Sequence, residues 1–254
     1  MHGLNKTKSI HVFKKEFAAS FRFLPLIISG MITPLLIFAV FGMGVGKYVP
    51  SYRGFTFSQL IISGILLFQL TCSTFYQVSY STFFAANVTQ TLDEFLTAPI
   101  SSRDILLGRV LNNAVIGLIT AIPVSVVLIL ISNIKVSVLY YLVSLIYLML
   151  IGILFSSLGA LLGITVDVEF SLINFANAII IPLNFISDTF IRISDKNILL
   201  NYILYLSPIK LANDGMRKAL LFREFDIISL IALIIYTAVV YVISAKIFEK
   251  KSLE

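Results

Sequence analysis

Tryptophan is absent, cysteine occurs once and histidine twice. The lone Cys72 rules out an intrachain disulfide, and one thiol cannot support a metal site. It lies in an apolar stretch, where a buried structural thiol is the simplest reading. Both histidines, His2 and His11, lie near the N-terminus, so none falls within the long apolar runs. Charge is also scarce. Asp, Glu, Lys and Arg make up 13% of the chain, about half the share in an ordinary soluble domain. Hydrophobic residues make up 58% of the 254 positions. A soluble globule of this size cannot hide so much apolar surface, so lipid must be its solvent. The formal net charge of +6 then reads as Lys and Arg holding the cytoplasmic ends of spans, and no nucleic-acid partner is expected.

A membrane-spanning helix needs about 20 mainly apolar residues. Six stretches qualify: 24–46, 60–84, 105–131, 138–164, 170–190 and 227–245. The first follows a basic N-terminus, as a signal peptide would, but it is too long for a signal core and lacks a small-residue cleavage site. It is read as an uncleaved first helix. Lys6, Lys8, Lys14, Lys15 and Arg22 precede it, and Lys246, Lys250 and Lys251 follow the last span. Six crossings put both ends on one side, which the positive-inside rule makes the cytoplasm of a cell (plasma) membrane. Arg192, Lys196, Lys210, Arg217, Lys218 and Arg223, in the last outer loop, run against that pattern.

Two flanking regions carry structure of their own. Ile10, Phe13, Phe17, Phe21 and Leu24 recur at helical spacing, with Lys8, Lys15 and Arg22 on the other side. This describes a basic amphipathic helix over 1–23 in the cytoplasmic interface; the alternative is a snorkelling flank of the first span. In the outer loop, residues 198–206 are apolar but too short to span. Pro208 and an amphipathic stretch over 209–222 follow, which predicts two short helices dipping into the outer leaflet. In the fourth span, Gly159 and Gly163 form a small-xxx-small pair with Gly152, Ser156 and Ala160 nearby, a signature of close helix packing.

Chemistry is mostly missing. The spans hold essentially no ionisable residue at mid-depth, where a proton-coupled carrier needs one. Sodium coupling is less firmly excluded, because backbone carbonyls of broken helices can bind sodium. There is no H-E-x-x-H and no G-x-S-x-G, so an intramembrane nucleophile would lack its base. The nearest approach to a phosphate loop runs from Gly42 to Tyr48. It is one residue short, has Tyr48 in place of the hydroxyl residue and sits at a span end. Active transport would draw its energy from another polypeptide.

Polar residues cluster on two span faces. Gln69, Ser73, Gln77 and Tyr80 share one face of the second span. Asn174, Asn177 and Asn184 share one of the fifth, with Asp188 just beyond. Amides in hydrocarbon are costly without partners or water. Either they hydrogen-bond between helices, or they line a route through the membrane.

Two stretches point to a known family. The first is Thr91-Leu92-Asp93-Glu94-Phe95-Leu96-Thr97-Ala98-Pro99-Ile100-Ser101, continuing to Asp104-Ile105-Leu106-Leu107-Gly108-Arg109. It resembles the segment between spans two and three of the type-2 ABC transporter permeases, T-L-E-x-L-L-x-x-P-I-S followed by I-L-x-G-K. The second is Pro182-Leu183-Asn184-Phe185-Ile186-Ser187, then Leu206-Ser207-Pro208-Ile209 and Asp214-Gly215-Met216-Arg217. It looks like the family's P-L-x-F-x-S-G, N-P-x-x-Y and D-x-x-R. Asp188 stands where the family usually has glycine, Asp93-Glu94 is an acidic pair where one Glu is usual, and residues 210–213 lack the common aromatic.

The resemblance implies an all-α integral membrane protein: a single permease domain over 1–254, with six spans, the interfacial helix 1–23, a cytoplasmic coupling loop 85–104 and an outer re-entrant region 188–226. In the coupling loop, Thr91 can cap a helix with Asp93 and Glu94 in its first turn. Leu92, Phe95 and Leu96 form an apolar patch, and Pro99 ends the helix. Taken by itself, this would be a turn on the membrane surface. The resemblance implies a coupling helix that docks on a separate ATPase. It also implies two permease copies, expected as a homodimer, with two ATPase subunits that carry ATP and magnesium. The permease itself is no enzyme and binds no cofactor. The expected cargo is an amphipathic or hydrophobic compound, lipid or glycolipid. The alternative is a polysaccharide or teichoic acid, for which Phe75, Tyr76, Tyr80 and Phe83 could line the route, although the lack of Trp speaks against it. An ion-coupled carrier or channel, and a structural scaffold, are the readings from other classes.

Overall fold

A computed structural model describes residues 6–20, 28–89, 101–187 and 207–251. Among them every regular element is helical; the one β-type pairing is an isolated bridge between Tyr52 and Phe55. The helices are α1 (Lys6–Ser20), α2 (Ile32–Ile37), α3 (Phe57–Leu60), α4 (Ile62–Phe83), α5 (Ser102–Ile131), α6 (Val138–Thr165), α7 (Glu169–Ile186), α8 (Pro208–Arg217) and α9 (Ile227–Lys251). α2 continues as a π-helical stretch, Phe38–Gly44, and a 3-10 turn, Val45–Tyr48. α3 and α4 together with the π turn Phe84–Val88 form one long rod, and α8 runs on into the π turn Lys218–Phe222.

Four helical stretches are long and apolar enough to cross a membrane: Phe57–Val88, α5, α6 and α9. They match four of the stretches read from the sequence to within a few residues at most ends, and α9 runs six residues past its expected end. The other two stretches appear as shorter apolar helices, Ile32–Tyr48 and α7. Residues 21–27, which include the start of the expected first span, lie outside the described residues, as do the coupling segment at 91–99 and the first outer helix at 198–206.

α6 sits at the centre of the bundle, against α4, α5, α8 and α9. Small residues account for that position. A Cβ added at Gly159 would stand 2.5 Å from the Phe75 carbonyl oxygen of α4, and one at Gly163 would collide with Ser79 O and Thr82. A Cβ at Gly152 would press on Ala114 of α5. Lipid supplies no hydrophobic drive between helices, so close backbone approach and van der Waals contact hold them together. The main core gathers Ile62, Leu66, Leu70, Tyr147, Ile151, Phe155 and Met216. A smaller core at the α1 end holds Val78, Ile105, Leu106, Val110, Ala160 and Phe248.

α8 bears out the amphipathic stretch expected after Pro208, and it is inserted into the bundle. Ile209, Ala212, Asn213 and Met216 are fully buried. Ser63 of α4 donates to Asn213 Oδ1 at 2.6 Å, and Gly215 lies flat against the Tyr147 ring.

Candidate functional site

α1 has three faces. Ser9 and Val12 are buried against α5, with Glu16 half-buried on the same side. Phe13 and Phe17 stack beside that face with ring centroids 5.5 Å apart, next to exposed Ile10. His11, Lys14 and Lys15 lie on the remaining face, exposed. The apolar stripe read from the sequence is therefore the flank of the helix, and its protein-facing side is the more polar one. Val12 fits there because Gly108 of α5 leaves room: a Cβ at Gly108 would lie 2.7 Å from Val12 Cγ1.

Polar contacts fasten the same end. Asp104, in the first turn of α5, accepts hydrogen bonds from Ser9 and from Ser101, each at 2.6 Å. Ser101 in turn caps α5 by accepting from the Asp104 amide. One turn further along, buried Arg109 contacts Glu16 at 3.2 Å and donates to Thr82 of α4 at 3.1 Å. Arg103 pairs with Glu249, near the end of α9, at 2.7 Å. Residues 90–100 thus leave α4 and return to α5 at a point where α1, α4, α5 and α9 are tied by side chains. Thr91, Leu92, Asp93, Glu94, Phe95, Leu96 and Pro99 themselves lie outside the described residues. Sequence reasoning missed the Glu16–Arg109–Thr82 cluster. Its signal was an arginine within an apolar span, which requires a partner.

The two polar faces meet in part. α4 and α7 pack together, and Tyr76 donates to Asn177 Oδ1 at 2.5 Å. Gln77, Asn174 and Asn177 are exposed, and Ser73 and Tyr80 are half-buried beside them. Tyr80 stacks on Phe84, centroids 6.2 Å apart. Gln69 is occupied elsewhere, donating to the Gly30 carbonyl at 2.8 Å. Asn184 is fully buried and donates to Ile180 O of its own helix at 2.9 Å. Of the four aromatics considered for a route, Phe75 and Phe83 are buried in the core, while Tyr76 and Tyr80 reach the face.

At the far end, Ser187, after α7, lies 2.6 Å from Ser207, before α8, so residues 188–206 start and finish at one place. Lys218 pairs with Asp226 at 2.6 Å. Asp226 also accepts from the Ser229 amide at 3.1 Å and so caps α9. Burial favours the neutral carboxyl of Asp226, but the hydrogen bonds from Lys218 and Ser229 outweigh it and hold the group below its usual range. The same bond raises the Lys218 ammonium.

Comparison with known proteins fits this layout. Nodulation protein J of Azorhizobium caulinodans is 29% identical over 238 residues, which cover 92% of this chain and 90% of that protein. Inner membrane transport permease YadH of Escherichia coli K12 is 23% identical over 214 residues, covering 84% and 80%. The profile of the family described as ABC-2 type transporter matches residues 8–221. This chain therefore belongs to the ABC-2 type transporter family, as a multi-pass membrane subunit that works with an ABC ATPase rather than being one.

Proposed function

We propose that this chain is the permease of an ATP-driven exporter. It has six spans and both termini in the cytoplasm, and it is paired as a homodimer with two ATPase subunits that hold ATP and magnesium. The observation that carries the reading is the clamp around residues 90–100. A push on a coupling helix at 91–99 would reach α4 and α5 directly. It would reach α1 through Ser9–Asp104 and Glu16–Arg109, and α9 through Arg103–Glu249. Four spans are long by themselves. α7, with 18 residues, is about 27 Å long, close to the hydrocarbon thickness of about 30 Å. The Ser187–Ser207 contact supports a hairpin before α9.

The cargo read from the apolar bundle is an amphipathic or hydrophobic compound, lipid or glycolipid. A polysaccharide or teichoic acid is the second reading, favoured by Tyr76 and Tyr80 standing among Gln77, Asn174 and Asn177. The α4–α7 face is where a second copy would complete the route.

The test is co-purification with a separate ABC ATPase subunit, followed by ATPase assays in vesicles with candidate cargo. Cargo-stimulated hydrolysis supports the exporter. Uphill solute movement by the isolated chain in nucleotide-free vesicles would end the reading in favour of a carrier.

A further inference from the structure

A cavity of about 280 Å³ opens at the end of the bundle away from α1, between the turn that precedes α3 and the end of α8. It is just below the usual range for small-molecule sites, about 300–1,000 Å³. Its position relative to lipid follows from α9. Ile227 and Ile228 are 63% and 82% exposed and begin the apolar length of that helix. Glu224 and Asp226, which line the cavity, immediately precede them, so the cavity stands at the polar–apolar boundary, where lipid headgroups lie.

Both walls are built by tight backbone. Tyr52 and Phe55 exchange two hydrogen bonds of 2.9 Å around Arg53 and Gly54. These two residues have φ of 49° and 84°, a left-handed hairpin turn. The turn places the Arg53 guanidinium 5.6 Å from the Tyr52 ring centroid and 5.9 Å from that of Phe222. Opposite, the Glu224 amide closes the end of the α8 π turn by donating to Lys218 O at 3.2 Å.

The charges on the lining balance, with Arg53, Arg217 and Lys218 against Asp214, Glu224 and Asp226. Lys218 and Asp226 are spent on one another, Asp214 faces Lys210 at 3.6 Å, and Arg217 is engaged within the protein. Among the described residues, Arg53 and Glu224 have no ion-pair partner. Between aromatic walls, the cavity therefore offers one guanidinium and one carboxylate that no ion pair in the protein occupies. A simple anion or cation would engage one of these two groups and be repelled by the other. A ligand carrying phosphate and ammonium together meets a partner for each: the planar fork of arginine suits phosphate, and a carboxylate suits an ammonium.

We propose that this cavity is a headgroup site for a zwitterionic phosphate–ammonium ligand of the phosphoethanolamine class, with Arg53 taking the phosphate and Glu224 the ammonium. This assignment rests neither on the export reading nor on which face is cytoplasmic, because it is tested by binding to the permease alone. Full-length protein, delipidated in detergent, is offered phosphatidylethanolamine or phosphatidylglycerol, and the retained lipid is counted by native mass spectrometry. Soluble glycerophosphoethanolamine is titrated in parallel. About tenfold preference for phosphatidylethanolamine is expected. Glu224→Gln should bring it down to the phosphatidylglycerol level, and Arg53→Gln should lower retention of both about tenfold. Arg53→Lys should recover part of that, and Lys47→Gln, outside the cavity, should change nothing. Binding of the soluble compound without lipid retention would assign the same chemistry to a soluble ligand. Equal retention of the two lipids by the unmodified protein with no binding of the soluble compound would overturn the proposal. So would an Arg53→Gln protein of unchanged melting temperature that retains both lipids as the parent does.

Discussion

Glu16 and Arg109 are 93 positions apart in the chain and 3.2 Å apart in space. The contact makes α1 part of the bundle, since the guanidinium it satisfies is buried and also reaches Thr82 of α4. A buried charge left alone costs far more than its pair contributes. Glu16→Ala should therefore destabilise the protein in detergent by roughly 3 kcal/mol. Adding Arg109→Met should recover much of the loss. Melting temperatures of the single and double variants measure this; two independent, additive losses would show that the pair does not act as a unit.

Gly159 is expected to be intolerant of any side chain. Its Cβ would stand 2.5 Å from the backbone oxygen of Phe75, and backbone cannot rotate away as a side chain can. Gly159→Ala should cost about 1–3 kcal/mol by forcing α4 and α6 apart. Gly44→Ala meets nothing closer than 3.7 Å and should be silent. Thermal unfolding of the two variants side by side checks the contrast.

Cysteines placed at Gln77 and Asn177 should react with aqueous thiol reagents in at least one nucleotide state of the assembled transporter, whereas one at Asn184 should not. The first two are exposed on the α4–α7 face and the third is fully buried. Labelling after Cys72→Ser gives the reading. Protection of Gln77 and Asn177 in every state would mark the face as packing only.

The Lys218–Asp226 pair predicts a pH window. The depressed carboxyl of Asp226 contributes stability above the usual carboxylate range and loses it as pH falls through its lower folded value. The raised ammonium of Lys218 contributes below its usual range and loses it as pH rises through its higher folded value. The contribution is then level between about pH 5 and 9 and fades outside. Lys218 is largely exposed, so the pair contributes no more than about 1 kcal/mol. Melting curves of Asp226→Asn should run below those of the parent inside the window and converge with them in acid.

Phe95→Ala should leave the permease in the membrane but separate ATP hydrolysis from export, because it removes the aromatic anchor of the proposed coupling helix. Transport and hydrolysis are measured on the same reconstituted complex. Unchanged values of both would refute the docking role.

Hydropathy alone located the long helices, because the hydrocarbon thickness fixes their length whatever they pack against. The packing of α6 was also legible, since Gly159 and Gly163 have no other use in a span. The face of α1 was not. Periodicity pointed to Ile10, Phe13 and Phe17, while the bundle meets Ser9, Val12 and Glu16, whose partners lie some ninety residues away. The polar faces were half legible. Their helical spacing was visible in the sequence, but a sequence does not say that Gln69 is occupied by Gly30 or that Asn184 turns back on its own helix.

The hydrogen bond between Ser187 and Ser207 has a practical consequence. With both ends of residues 188–206 pinned together, the length of that segment is uncoupled from the register of α7 and α8. Closing a longer loop adds only about 0.6 kcal/mol per doubling. An epitope or protease site inserted there would ride on an intact bundle, and its accessibility in sealed cells would report which side of the membrane that end faces.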